Sequence, residues 1–146
     1  MLPAERRARI VLAAKECIGT PWHHQQRQLG VGMDCVGLLT HCAQAINVEV
    51  HDQHRYSLRE NGTQLLDAIV RHGMMQTFNG SLELGDLLVF KISGVPHHVG
   101  IVTALDPILF VHVSSHGQKK CVETELSDHW MLNLHSKWRF ADGQFN

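Results

Sequence analysis

The feature that most constrains this chain is a change of hydrophobic rhythm near Gly80. Before it, apolar residues recur at helical spacing: Ile10, Ala13, Ala14, Cys17 and Ile18 in one run, and Cys35, Leu38, Leu39, Cys42, Ala45 and Ile46 in another. After it come five short runs rich in β-branched and aromatic residues: "DLLVFKI", "HHVGIVTA", "ILFVHVSS", "KCVETEL" and "SKWRF". Helices followed by closely spaced strands are the pattern of an α+β fold, with N-terminal helices packed on a C-terminal antiparallel β-sheet. A length of 146 residues suits one domain over 1–146 with a real hydrophobic core.

Local signals set the expected boundaries. One helix spans Ala4 to Ile18 and stops at Gly19. The stretch "GTPWHHQQRQLGVGM" has the Pro, Gly and polar content of a loop. A second helix is expected from Cys35 to Ile46 with Asp34 as its N-cap. The segment "NVEVHDQHRYSLRENG" is polar, and a third helix from Thr63 to His72 closes at Gly73. Gly94-Val95-Pro96 is the expected turn before the second strand.

Composition excludes several function classes. Hydrophobic residues make up 44% and charged residues 18%, the balance of a globular protein. A net charge of -1 and a pI near 6.9 give no electrostatic reason to expect a nucleic-acid or membrane-surface partner. In "MLPAERRARIVLAAKECIG" the apolar run "IVLAA" is too short for a signal peptide, so cytoplasmic synthesis is expected. No apolar run is long enough to span a bilayer. The four cysteines form no C-x-x-C pair, which favours free thiols.

Three residues carry the expected chemistry. Cys35 would stand at a helix start, where unpaired N–H groups and the helix dipole favour a thiolate nucleophile. The alternative is a small buried hydrophobe, the role expected of Cys42. A nucleophilic thiol needs a base. Strand alternation puts His98 on one face with Gly100, Val102 and Ala104, small residues that leave room for a packing partner. His112 lies within the apolar run "ILFVHV" and needs a polar partner if buried, which His98 on the neighbouring strand would supply. The alternative is a satisfied core histidine. Gly37 would allow a substrate backbone to approach the helix start. His23, His24, His51 and His54 read as solvated. A metal site from His112, His116 and Cys121 fits poorly across a strand end and a turn, so neither metal nor cofactor is expected.

Four segments in order, "GTPWHHQQRQLGVGMDCVGLL", "LELGDLLVF", "HHVGIVT" and "FVHVSS", resemble the NlpC-type cysteine peptidases, a papain-like family that cleaves bacterial cell-wall peptides. The "HQ" loop with Gly-Val-Gly before Asp-Cys looks most like the branch encoded with phage tail genes. The resemblance implies Cys35 as nucleophile, His98 as base and His112 as the residue that orients it. It places Trp22 beside the nucleophile, where the family often has Tyr, so that Trp22, Asp34 and Gly37 border the substrate. Val36 stands where Ser is common. The implied substrate is the γ-D-glutamyl–diamino-acid bond of peptidoglycan stem peptides, and the implied partners are phage tail proteins. A structural tail-assembly protein with little activity, and a thiol amidase or acyltransferase on another substrate, are the competing readings.

Overall fold

The structure, a computed structural model, describes residues 3–24, 26–49, 63–77 and 80–141. Most of the polar segment after the second helix, with His51 and His54, lies outside the described residues. In chain order the elements are α1 (Pro3–Glu16), β1 (Arg27–Gln28), β2 (Gly32–Met33), α2 (Cys35–Ala45), α3 (Thr63–Arg71), β3 (Met74–Thr77), β4 (Leu87–Ile92), β5 (Val95–Leu105), β6 (Ile108–Val113), β7 (Cys121–Glu125), α4 (Asp128–Leu132) and β8 (Leu134–Phe140). The larger sheet has six strands in the order β3-β8-β4-β5-β6-β7, and β1 with β2 forms a small separate hairpin. All pairings in the six-stranded sheet are antiparallel. The α+β architecture read from the sequence is the one observed.

Alternation along the strands sorts the core into two layers. Leu87, Val89, Val99, Ile101, Val111 and Val113 meet α1, α2 and α3 on one face. Leu88, Phe90, Val102 and Phe110 form a smaller cluster on the other face, beneath Leu126, Trp130 and Leu134. Trp130 belongs to α4, a single short helix with no counterpart in the sequence reading.

Two turns show why boundaries moved. β4 and β5 are joined by Ser93 and Gly94 alone, since Ile92 pairs with Val95. Both loop residues have positive φ, 52° and 83°. That is the two-residue loop whose twist matches antiparallel strands. The turn therefore lies before Val95 and Pro96, which belong to β5, and not at Gly94-Val95-Pro96. α1 ends at Glu16, and Ile18, expected on its apolar stripe, is 44% exposed in the turn beyond it. β1, β2 and β3, none longer than four residues, went unforeseen.

Candidate active site

α2 starts as its sequence requires. Asp34 is extended at φ -112° and ψ -172°, and its Oδ1 accepts the Gly37 N–H at 2.9 Å. The same oxygen accepts from Arg27 Nη1 at 3.0 Å, in a pair almost closed to solvent. Asp34 is therefore an N-cap and the anchor of the β1–β2 hairpin at once.

Gly37 is close-packed, but not for a substrate. A Cβ there would lie 2.8 Å from the carbonyl oxygen of Gln26 and 3.1 Å from Met33 Cβ. The backbone that approaches α2 is the chain's own hairpin, and this corrects the expectation that Gly37 leaves room for substrate. Trp22 is half-buried and packs against the helix-side core. Its backbone N–H donates to the Lys119 carbonyl at 2.8 Å, and its backbone forms a β-bridge with Met33. The loop that carries it is thereby tied to the segment before β7.

Cys35 is the first residue of α2 and is only 6% exposed. The sequence reading has its thiol acidified by the helix start. Burial reverses that: desolvation, then the Asp34 carboxylate, pushes the thiol up to about 12. Arg27 and the N–H groups of Cys35 and Val36 pull the other way and lose. Cys42 is buried within the helix-side core, as expected. All four cysteines are free thiols.

His98 and His112 meet. His98 Nε2 lies 2.8 Å from His112 Nδ1, and His112 Nε2 lies 2.9 Å from Thr124 Oγ1 on β7. Each contact carries one proton, so the line of three has two directions. When His98 carries its proton on Nε2, it donates to His112, and His112 donates to Thr124. His98 Nδ1 is then left with a lone pair, as a base requires. Burial, then the charges of His112, His97 and His116, holds His98 down at about 3. Burial alone holds His112 at about 4. Both rings are neutral at neutral pH.

The two histidines point to the face occupied by Phe90, Phe110 and Trp130. The His98 ring stacks at 6.0 Å from Trp130, and His112 lies 4.8 Å from Phe110. The room left by Gly100 is filled by Phe110, whose Cδ2 would be 2.5 Å from a Cβ at that position. Cys35 packs within the helix-side core, and among the described residues no hydrogen bond joins its sulfur to the His98 ring. Because Gly100 pairs with His112, Ser114 falls opposite His98, one residue past the end of β6. His98 thus stands where the sheet opens. Cys121 lies in the helix-side core while His112 faces away from it, so the metal grouping considered from sequence does not converge.

Sequence reasoning missed Thr124 and Trp130. Thr124 sits diagonally across from His112, which pairs with Val122, and only the register reveals it. Trp130 lies on a helix of five residues, too short to show a period.

Helices packed on an antiparallel sheet, with Cys35 at the capped start of α2 and His98 and His112 on neighbouring strands, make up a papain-like fold. The NlpC/P60 family model matches residues 19–139, and the chain belongs to that family. Comparison with curated proteins returns no match. Among solved structures, an NlpC/P60 family protein from Bacillus cereus is similar at 18% identity and TM-score 0.67, over 92% of this chain and 40% of that one. The NlpC/P60 domain of the peptidoglycan hydrolase SagA is similar at 19% identity and TM-score 0.59, over 92% of this chain and 98% of that domain. A Trichomonas vaginalis protein, NlpC2, is similar at 19% identity and TM-score 0.67, over 95% of this chain and 50% of that one. The chain thus spans half or less of two of these proteins and nearly all of the SagA domain.

Proposed function

We propose that this protein is a cell-wall hydrolase, a cysteine peptidase acting on peptidoglycan stem peptides at the γ-D-glutamyl–diamino-acid bond. Cys35 is the nucleophile, His98 the base and His112 the residue that orients it. The observation that carries the reading is the 2.8 Å contact of His98 with His112 in an NlpC/P60 chain whose Cys35 opens a capped helix. The SagA domain, described as part of a peptidoglycan hydrolase, supports the substrate class.

The chemistry starts from a neutral thiol and a neutral imidazole. As the Cys35 sulfur attacks the scissile carbonyl, its proton passes to His98 Nδ1. The oxyanion is held by the Cys35 backbone N–H at the start of α2. His98 then gives the proton to the leaving amine as the C–N bond breaks, and an acyl-enzyme remains. Water, deprotonated by His98, attacks that thioester and releases the acid and the free thiol. His112 and Thr124 hold the ring in the tautomer that does this. Delivery on a phage tail, the extension suggested by the loop before Asp34, is tested by whether purified virions contain the chain.

The burial of Cys35, which pushes its thiol up to about 12, favours a second reading, a chain that keeps the fold but turns over little substrate. Muropeptide hydrolysis by the wild type, lost in Cys35→Ala and in His98→Ala, is the expected result. A bis-electrophile such as 1,3-dibromoacetone should bridge Cys35 to His98. Equal turnover by wild type and Cys35→Ala removes the nucleophile assignment. Labelling of Cys35 without muropeptide turnover favours a thiol amidase or acyltransferase on another substrate.

A further inference from the structure

Among the described residues, no carboxylate lines the cavity beside His98. The titratable and charged groups that line it or act on the ring are Lys91 on β4, His97 on the same strand, His112 on β6, His116 beyond β6 and His129 on α4. All are basic, so no anion fixes the ring as the aspartate of a Ser-His-Asp triad does. His98 is oriented instead by its bond to His112 and by what packs on the two rings.

Most of that packing comes from Trp130. Its indole stacks on His98 at 6.0 Å with 28° between the planes, and meets His112 edge-on at 5.1 Å. Phe90 is in ring contact with His98 and Phe110 with His112, whereas Trp130 is in contact with both histidines and with both phenylalanines. α4 is built around this side chain. Met131 and Leu132 stand 50% and 80% exposed, while Trp130 turns inward onto the cluster of Phe90 and Phe110. Backbone bonds fasten the segment at both ends. The Leu126 N–H donates to the Ile108 carbonyl on β6 at 2.9 Å, and the Lys91 N–H on β4 donates to the Asn133 carbonyl at 2.7 Å. β5, which carries His98, runs between those two strands. The helix thus bridges the strands on either side of the base and lays its indole on the ring.

A hydrogen bond between two neutral rings is easily exchanged for bonds to water. We propose that Trp130 is a positioning residue: its indole covers His98 and His112, keeps water from the bond between them, and so holds His98 in the orientation and tautomer that can take a proton on Nδ1. This role rests on the peptidase reading above, in which His98 is the base. A small side chain in place of the indole would admit water to the rings. Water favours the charged imidazole, so the titration of His98 would rise toward the ordinary 6.5. A protonated His98 cannot take the thiol proton, and the base would fail in mild acid where wild type still works.

The test follows isotope-labelled histidine rings by NMR across pH in the full chain, with His98→Gln and His112→Gln to assign the two signals. Wild-type His98 should stay neutral well below pH 6.5. Trp130→Ala should raise its titration by about one pH unit or more. Trp130→Phe, which keeps an aromatic face, should stay close to wild type. Trp130→Leu, which leaves a smaller void, serves the same comparison if the Ala variant does not fold. An unmoved titration, or an equal shift in the Ala and Phe variants, overturns the role. In muropeptide turnover, the acid limb of kcat should move up with the titration while KM holds. A rise in KM alone makes Trp130 a wall of the substrate site and overturns the role as well. No turnover by wild type, with the titration shift intact, removes the peptidase and keeps Trp130 as the cover of the pair. Turnover with no shift does the reverse.

Discussion

Replacing Thr124 by Val tests whether the line from His98 to Thr124 works as a unit. Val has the shape of Thr and lacks only the hydroxyl that lies 2.9 Å from His112 Nε2. His112 is 4% exposed, so its second nitrogen has little water to turn to. A buried N–H stripped of its partner costs about 1–3 kcal/mol. Thr124 itself is half-buried, so water recovers part of that, and a loss of about 1–1.5 kcal/mol is expected. The same freedom lets His112 leave the tautomer that accepts from His98, and an equal loss of transition-state stabilisation is about a tenfold fall in kcat/KM. Urea unfolding measures the first quantity and muropeptide turnover the second. Thr124→Ser keeps the hydroxyl and should track wild type in turnover. If Val and Ser variants are equally stable and equally active, the contact is incidental and the relay ends at His112.

Other outcomes follow from the same geometry. Gly100→Ala drives a Cβ into Phe110 and the Val111 carbonyl, and a loss of about 1–3 kcal/mol in urea unfolding is expected; wild-type stability would show that Phe110 moves freely. Asp34→Ala removes the cap of α2 together with the ion pair to Arg27, and should cost more than the roughly 0.5–2 kcal/mol of a cap alone, whereas Asp34→Asn keeps the acceptor and should recover part. His98 and His112 titrate near 3 and 4 in the folded chain, below the ordinary 6.5, so the unfolded chain binds more protons in between. Their contribution is therefore full above about pH 6.5 and is lost as pH falls, at up to about 1.4 kcal/mol per pH unit for each ring. Urea midpoints between pH 7 and pH 4 should fall less steeply for His112→Gln than for wild type, and parallel slopes would contradict the buried neutral pair.

Much of the fold was legible because its signals are local. Asp34 before an apolar helix, Gly73 after one, and alternation through Leu87–Ile92 and Ile108–Val113 each depend on a few adjacent residues. The pairing of His98 with His112 was legible too, since both lie on neighbouring strands on one face. What escaped was set by tertiary context. The acidity expected of Cys35 follows from the helix start, but its burial depends on how the helix-side core closes around that first turn, which no local pattern records. The small residues flanking His98 signalled close packing, yet the partner is Phe110 of the same sheet, where the sequence suggested an opposing element.

The position of β8 has a consequence for the order in which the protein can assemble. This strand, late in the chain, is inserted between β3 and β4 instead of being added to an edge. Until residues 134–140 have emerged from the ribosome, β4 has one open side and β3 has no strand to pair with. The meander from β4 to β7, which builds the His98–His112–Thr124 line, involves only earlier residues. The histidine relay can therefore form on a nascent chain before the sheet that will carry it is closed, and synthesis of β8 locks a half-site already in place.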